Sequence, residues 1–167
     1  VRHTVPERGT IRLDGHDVRQ LSLETLRRHV LTVETDPFVF HATLAANLRV
    51  AAPEADERAL RDALTLVGLG DWMQTLPDAM ATVLGERGRA MSTGERQRLA
   101  LARAVLADPR VLILDEATSA LDAATESLVM TALQPWLAQR TVVFITHRPA
   151  VAALAPRAVV LRGGRVV

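Results

Sequence analysis

Asp115 and Glu116 close the apolar run VLIL, and His147 follows a second apolar run, TVVFI. The carboxyl end of a buried strand is where open α/β sheets place their ligands. An aspartate there can hold Mg²⁺, usually through water, because Mg²⁺ keeps part of its hydration shell. The next residue, Glu116, can orient or deprotonate a water. Parallel neighbours bring their carboxyl ends together, so His147 is expected beside Glu116 over one crevice, where it could donate to a phosphate oxygen. Taken alone, four apolar residues followed by Asp-Glu read as a strand that simply exits into solvent.

A second feature is the stretch AMSTGERQRLALARAVL, residues 90–106. Ser92 and Glu95 satisfy the capping-box spacing and fix a helix start between them. Gly94 leaves the first-turn N–H groups approachable, and those groups with the positive end of the helix dipole favour phosphate. On its own the stretch reads as an ordinary capped core helix, since Leu99, Leu101, Ala102, Val105 and Leu106 supply an apolar face. A dipole contributes about 2 kcal/mol at best. That corresponds to a dissociation constant on the order of tens of millimolar, so the main grip on any nucleotide must come from elsewhere.

The elements that position these groups follow from pattern. TIRL with Asp14-Gly15 reads as a short strand and tight turn, SLETLRR (22–28) as a brief helix and HVLTV (29–33) as a buried strand. Asp36-Pro37 breaks the pattern, because the residue before proline is pushed out of the helical region. Residues 41–88 are helical and loop-like. Within them Asp56 caps a helix whose apolar positions Ala59, Leu60, Ala63, Leu64 and Val67 share a face, with Gly68 as the stop. After the helix over 93–106 come VLILDE, a helix over about 123–134 ended near Pro135, and TVVFITH (141–147). Near-continuous apolar strands separated by helices predict parallel strands covered on both faces. The tail reads as a hairpin turning at Gly163-Gly164. The fold class is α/β, with a helical insertion between residues 41 and about 90.

Composition bounds the partners. The chain has 167 residues, 49% of them hydrophobic, enough for one sizeable core. No apolar run approaches the roughly 18 residues that span a bilayer. Cysteine is absent, which excludes disulfides and thiolate metal sites. A net charge of +1 and 3% aromatics argue against a nucleic-acid binder. All 20 basic residues are arginine, so no G-x-x-x-x-G-K-[ST] phosphate loop can exist in this chain. His3, His16, His29 and His41 show no metal spacing and read as surface or loop residues.

In this order, S-T-G-E-R-Q-R, L-I-L-D-E-A-T-S-A-L-D and I-T-H-R resemble the nucleotide-binding domain of ABC transporters over nearly the whole chain. DEATSALD with ITHR, G-E-R-G (85–88) and D-P-F-V-F-H-A-T-L-A-A-N-L point to the exporter branch. The resemblance implies a P-loop NTPase-like parallel sheet whose N-terminal part is missing, with residues 1–40 as a core portion, 41–90 as the helical subdomain and 91–167 as the signature helix and the rest of the core. It implies ATP and Mg²⁺ as cofactors. Met91 to Glu95 match the signature, so Ser92, Thr93, Gly94 and Glu95 would face the γ-phosphate of ATP held by a second ATPase domain in a homo- or heterodimer. Asp115 would serve Mg²⁺, Glu116 would be the catalytic base and His147 the switch histidine, and Ser119 to Asp122 would form the D-loop. Residues 36–50 and 85–88 resemble the surfaces that meet the cytoplasmic helices of a transmembrane domain, which implies a place on the cytoplasmic side of the plasma (inner) membrane.

Three departures accompany the match. The phosphate loop is expected upstream of Val1, with the N-terminal strands and the aromatic that stacks on adenine. Thr35 stands where the family's magnesium-sensing glutamine is expected. Thr93 replaces the first signature glycine and adds a side chain where backbone and phosphate approach closely. The last two fit either a degenerate site or tolerated drift. A DNA-repair or chromosome-organising ATPase shares parts of the pattern, but such proteins insert long coiled coils, and no sustained heptads lie between Thr35 and Ser92. A truncated, non-catalytic subunit is the other alternative.

Overall fold

The structure, a computed structural model, describes residues 6–85 and 88–167. His3 and the middle of the G-E-R-G stretch, Glu86 and Arg87, lie outside the described residues. The chain opens with an antiparallel hairpin of β1 (Arg12–Leu13) and β2 (His16–Asp17). Ser22 then caps α1 (Leu23–His29) by accepting from the Thr25 N–H, and the chain passes directly into β3 (Val30–Val33).

A helical stretch follows: α2 (Leu44–Arg49), α3 (Glu57–Leu66), α4 (Gly70–Gln74) and a 3₁₀ turn at Ala79–Ala81. Asp56 caps α3 through the Ala59 N–H, and Leu60, Ala63 and Leu64 are buried, as their helical spacing requires. Within 41–85 the only strand-like pairing among the described residues is in isolated bridges at Thr43–Val83 and Leu84–Arg89. Helix α5 (Thr93–Ala107) turns its buried face to α2 and α3.

The remaining elements are β4 (Val111–Asp115), α6 (Ala123–Leu137), β5 (Thr141–Ile145), α7 (Pro149–Ala152), β6 (Leu161–Arg162) and β7 (Arg165–Val166). Strands β3, β4 and β5 form one parallel sheet in that order, with β4 in the centre. Leu114 is registered against Val33 on one side and Phe144 on the other, and Asp115 against Ile145. The β6–β7 hairpin turns at Gly163 and Gly164 with φ of 53° and 75°, which a side chain at either position would resist.

Two expectations need correction. The helix after Asp122 does not stop before Pro135 but runs through it to Leu137. Proline removes its own N–H bond and crowds the carbonyl four residues back, but the bonds after it still form, the Ala138 N–H reaching the Gln134 carbonyl at 3.0 Å, so the helix closes its last turn past Pro135. The sheet, moreover, is not covered on both faces among the described residues. Leu112 and Leu114, with Val142 and Phe144 beside them, join the core that includes α5 and α6 side chains, whereas Val143 and Ile145 remain 45% and 48% exposed. An apolar run reports the strand's own composition, not whether a helix lies over each side of it.

Candidate functional site

The sheet ladder carries Glu116 into place: its N–H donates to the Ile145 carbonyl at 2.9 Å, one step beyond the last paired strand residue. There the chain turns sharply, with Glu116 at φ 48°, a left-handed conformation that costs a non-glycine residue on the order of 1 kcal/mol. The turn aims the carboxylate along the crevice above the adjacent strand. His147 meets it, with Nδ1 at 2.9 Å from Glu116 Oε1. An ionised carboxylate only accepts, so this contact requires the proton on Nδ1. Both side chains reach solvent, His147 at 72% and Glu116 at 37% exposure. The pair stands at the open mouth of the crevice, where a water or a phosphate can reach it.

Asp115 is half-buried at the end of β4, and its carbonyl accepts from the Thr35 hydroxyl at 3.2 Å. Thr35 therefore sits at the same strand ends, its hydroxyl turned to the backbone. Ser119 lies in the turn after Glu116, donating its N–H to the Glu116 carbonyl at 3.0 Å. Asp122 ends that loop as the cap of α6, accepting from the N–H groups of Ala124 and Thr125 and from the Thr125 hydroxyl at 2.6 Å. The Thr125 hydroxyl, and then its N–H, hold the Asp122 carboxyl below the ordinary aspartate range.

The helix start has both halves of the capping box. Glu95 N–H donates to Ser92 Oγ at 3.1 Å, and Ser92 N–H donates to Glu95 Oε2 at 2.7 Å. Arg96 ties this end to neighbouring segments, donating to the Thr93 hydroxyl at 3.3 Å, the Met91 carbonyl at 3.3 Å and Asp36 at 3.2 Å. Gly94 has a packing role beyond access for an anion. A Cβ there would stand 3.2 Å from Leu121 Cδ2 and 3.3 Å from the Ala120 carbonyl oxygen, so helix and loop touch through the glycine.

Three residues inside the quoted motifs, Gln97, Asn47 and Arg148, make contacts that the motif spacing does not announce. Gln97 is fully buried and bonded to the segments after β3 and β4. Its clue is a lone polar residue on the face shared with Ala100, Leu101 and Ala104, where a buried amide must find partners. Asn47, also fully buried, accepts from Phe40 N–H at 2.9 Å and from Arg103 Nη2 at 2.6 Å, while Arg103 Nη1 donates to the Phe38 carbonyl at 2.6 Å. Burial draws the Arg103 guanidinium below its ordinary pKa. This scaffold presents Phe38 and Phe40 edge-to-face, 4.9 Å apart, with Phe38 70% exposed.

The third of these residues forms an ion pair behind the loop. Arg148 Nη1 donates to Glu126 Oε1 at 2.8 Å and to the Thr118 carbonyl at 3.0 Å, and the Thr118 hydroxyl donates to the same carboxylate at 2.6 Å. The Glu126 side chain is 8% exposed and that of Arg148 27%. Removing one partner of a buried pair costs roughly 3 kcal/mol or more, because the other is left uncompensated. Glu126→Ala is expected at the low end of that range, since Arg148 keeps some contact with water. Thermal unfolding should show a midpoint lowered by roughly 6–12 °C; an unchanged midpoint would remove this pair from the fold's stability.

Comparison with known proteins identifies the family. A family model described as ABC transporter matches residues 1–119. The chain is 46% identical over 162 residues to the beta-(1→2)glucan export ATP-binding/permease protein NdvA of Rhodopseudomonas palustris (strain BisB18), covering 97% of this chain and 27% of that protein. It is 43% identical over 163 residues to the ATP-dependent lipid A-core flippase of Thiobacillus denitrificans (strain ATCC 25259 / T1), covering 97% of this chain and 28% of that protein. It superposes on the structure of a bacterial Atm1-family ABC exporter with ATP bound with a TM-score of 0.92 at 32% identity, over 99% of this chain and 29% of the other. The chain thus spans about a quarter of the length of these relatives. On the family model, the identities and the superposition together, the chain belongs to the ABC transporter family, as part of the ATP-binding domain of its exporters.

Proposed function

We propose that this chain supplies one half of a composite site that hydrolyses ATP to drive export across the cytoplasmic membrane. The observation that carries the reading is the 2.9 Å contact of Glu116 with His147 at the ends of adjacent parallel strands, one residue beyond Asp115. Glu116 takes a proton from the attacking water. His147 orients that carboxylate through Nδ1 and turns its ring to the γ-phosphate. Ser92, Thr93 and Gly94 face the γ-phosphate of ATP held by a second ATPase domain, with the Ser92 N–H engaged by Glu95 in the cap and the first-turn N–H groups at Thr93 and Gly94 turned to the anion. Ser119 and Asp122 shape the loop between the two domains.

Among the described residues no cluster of three metal-binding side chains exists. Mg²⁺ arrives with the nucleotide and asks only one or two carboxylates of the protein. Asp115 would hold it, with Thr35 beside it. Bound there, Mg²⁺ would neutralise charge on the phosphates. Residues 41–90 form a helical subdomain between the core portions 1–40 and 91–167, and the exposed Phe38–Phe40 ledge is the surface for the helices of a membrane domain.

A second reading is a non-hydrolysing partner in a heterodimer. The Thr35 hydroxyl bonded to the Asp115 carbonyl favours it, because that side chain is short and already engaged. ATP hydrolysis by the full-length gene product, reconstituted in lipid vesicles, separates the two. Magnesium-dependent turnover is expected. Nucleotide binding without turnover supports the second reading, and neither binding nor turnover overturns both.

A further inference from the structure

We infer that Gln97 is the positioning residue that sets the Ser119–Asp122 loop and the catalytic strand end against the capped helix α5, an inference that rests on the ATP-hydrolysing reading above. Its side chain is fully buried. Nε2 donates to the Thr35 carbonyl at 2.8 Å and to Ser119 Oγ at 3.1 Å, with the Glu116 carbonyl at 3.4 Å. Oε1 accepts from the Ala120 N–H at 3.0 Å. One amide thus joins α5 to the segment leaving β3, the segment leaving β4 and the loop leading into α6.

The chemistry needs an amide. Two carbonyl or hydroxyl acceptors require N–H donors on one side, and the Ala120 N–H requires an acceptor on the other; only a primary amide offers both in a single plane. A leucine of similar size would leave the Ala120 N–H and the Thr35 carbonyl, both on exposed residues, to water instead of to the helix. Close packing at Gly94 makes the coupling stiff, because α5 and the loop leave little room for a Cβ there, one turn before Gln97 in the same helix. Gln97 meets the carbonyl of Glu116, not its carboxylate. It acts through the backbone there, which is held at φ 48° and would relax if unsupported, taking the carboxylate away from His147.

The test compares Gln97→Leu and Glu116→Gln in the full-length gene product. Gln97→Leu should lower kcat for ATP hydrolysis at least tenfold while leaving KM for Mg-ATP within threefold and the thermal midpoint within a few degrees. Its Ala120 amide should exchange with solvent at least tenfold faster, while the α5 amide of Leu101 stays protected. Turnover within twofold of the unaltered protein overturns the inference, as does a fall in kcat that comes with parallel losses in affinity and melting. Gln97→Met replaces the leucine variant if that one does not fold, and failure of both marks a merely structural role and overturns it as well. Turnover lost in Glu116→Gln but kept in Gln97→Leu refutes the positioning role alone. Turnover kept in Glu116→Gln refutes the ATP-hydrolysing reading beneath it.

Discussion

Glu116→Gln is expected to lower ATP turnover by about 10²- to 10⁴-fold in the full-length transporter while leaving nucleotide affinity within a few-fold. Glutamine has the shape of glutamate and keeps an oxygen to accept from His147 Nδ1, so the 2.9 Å contact can persist. Its backbone requirement is the same, and the bond from the residue 116 N–H to the Ile145 carbonyl is untouched. The loss is confined to basicity: an amide cannot take the proton that an attacking water must shed. Closed pairs of ATPase domains should therefore accumulate with ATP unhydrolysed between them. Single-turnover hydrolysis with retention of labelled nucleotide measures both halves of this expectation. Wild-type turnover in the variant would remove Glu116 as the base.

The site was readable in the sequence wherever a rule acts over a few residues or through strand adjacency. Ser92 with Glu95, and Asp56, announce helix starts through spacing alone, and the structure has both caps. The meeting of Glu116 and His147 followed from two apolar runs being parallel neighbours, since their side chains are then delivered to the same end of the sheet. What stayed hidden depends on contacts between residues distant in the chain. Gln97 lies 62 positions from Thr35 and 23 from Ala120, and Arg148 lies 22 from Glu126. No local pattern specifies these pairs; packing of α5 and α6 against the strand ends creates them. The left-handed turn at Glu116 was equally silent, as nothing but the geometry of the strand exit demands it.

On its own this chain should bind ATP no more tightly than about tens of millimolar, the affinity that a helix N-terminus alone supports. Its 20 basic residues are all arginine, so no lysine is available to grip the β- and γ-phosphates. The arginines nearest the candidate site are engaged: Arg96 with Asp36, Thr93 and Met91, and Arg148 with Glu126 and the Thr118 carbonyl. The helix start is itself half-satisfied by an anion, since Glu95 accepts from the Ser92 N–H at 2.7 Å. A phosphate must displace that carboxylate or share the dipole with it. Asp115 and Glu116 add further negative charge where a triphosphate without its Mg²⁺ would lie. All of these effects weaken binding, and none supplies a replacement for the missing grip. Calorimetric titration of the isolated chain with Mg-ATP to 1 mM, a concentration at which tens-of-millimolar affinity leaves only about a few per cent bound, should give no resolvable binding heat. A micromolar dissociation constant would mean that the arginines here hold a nucleotide in a way the composite site does not need.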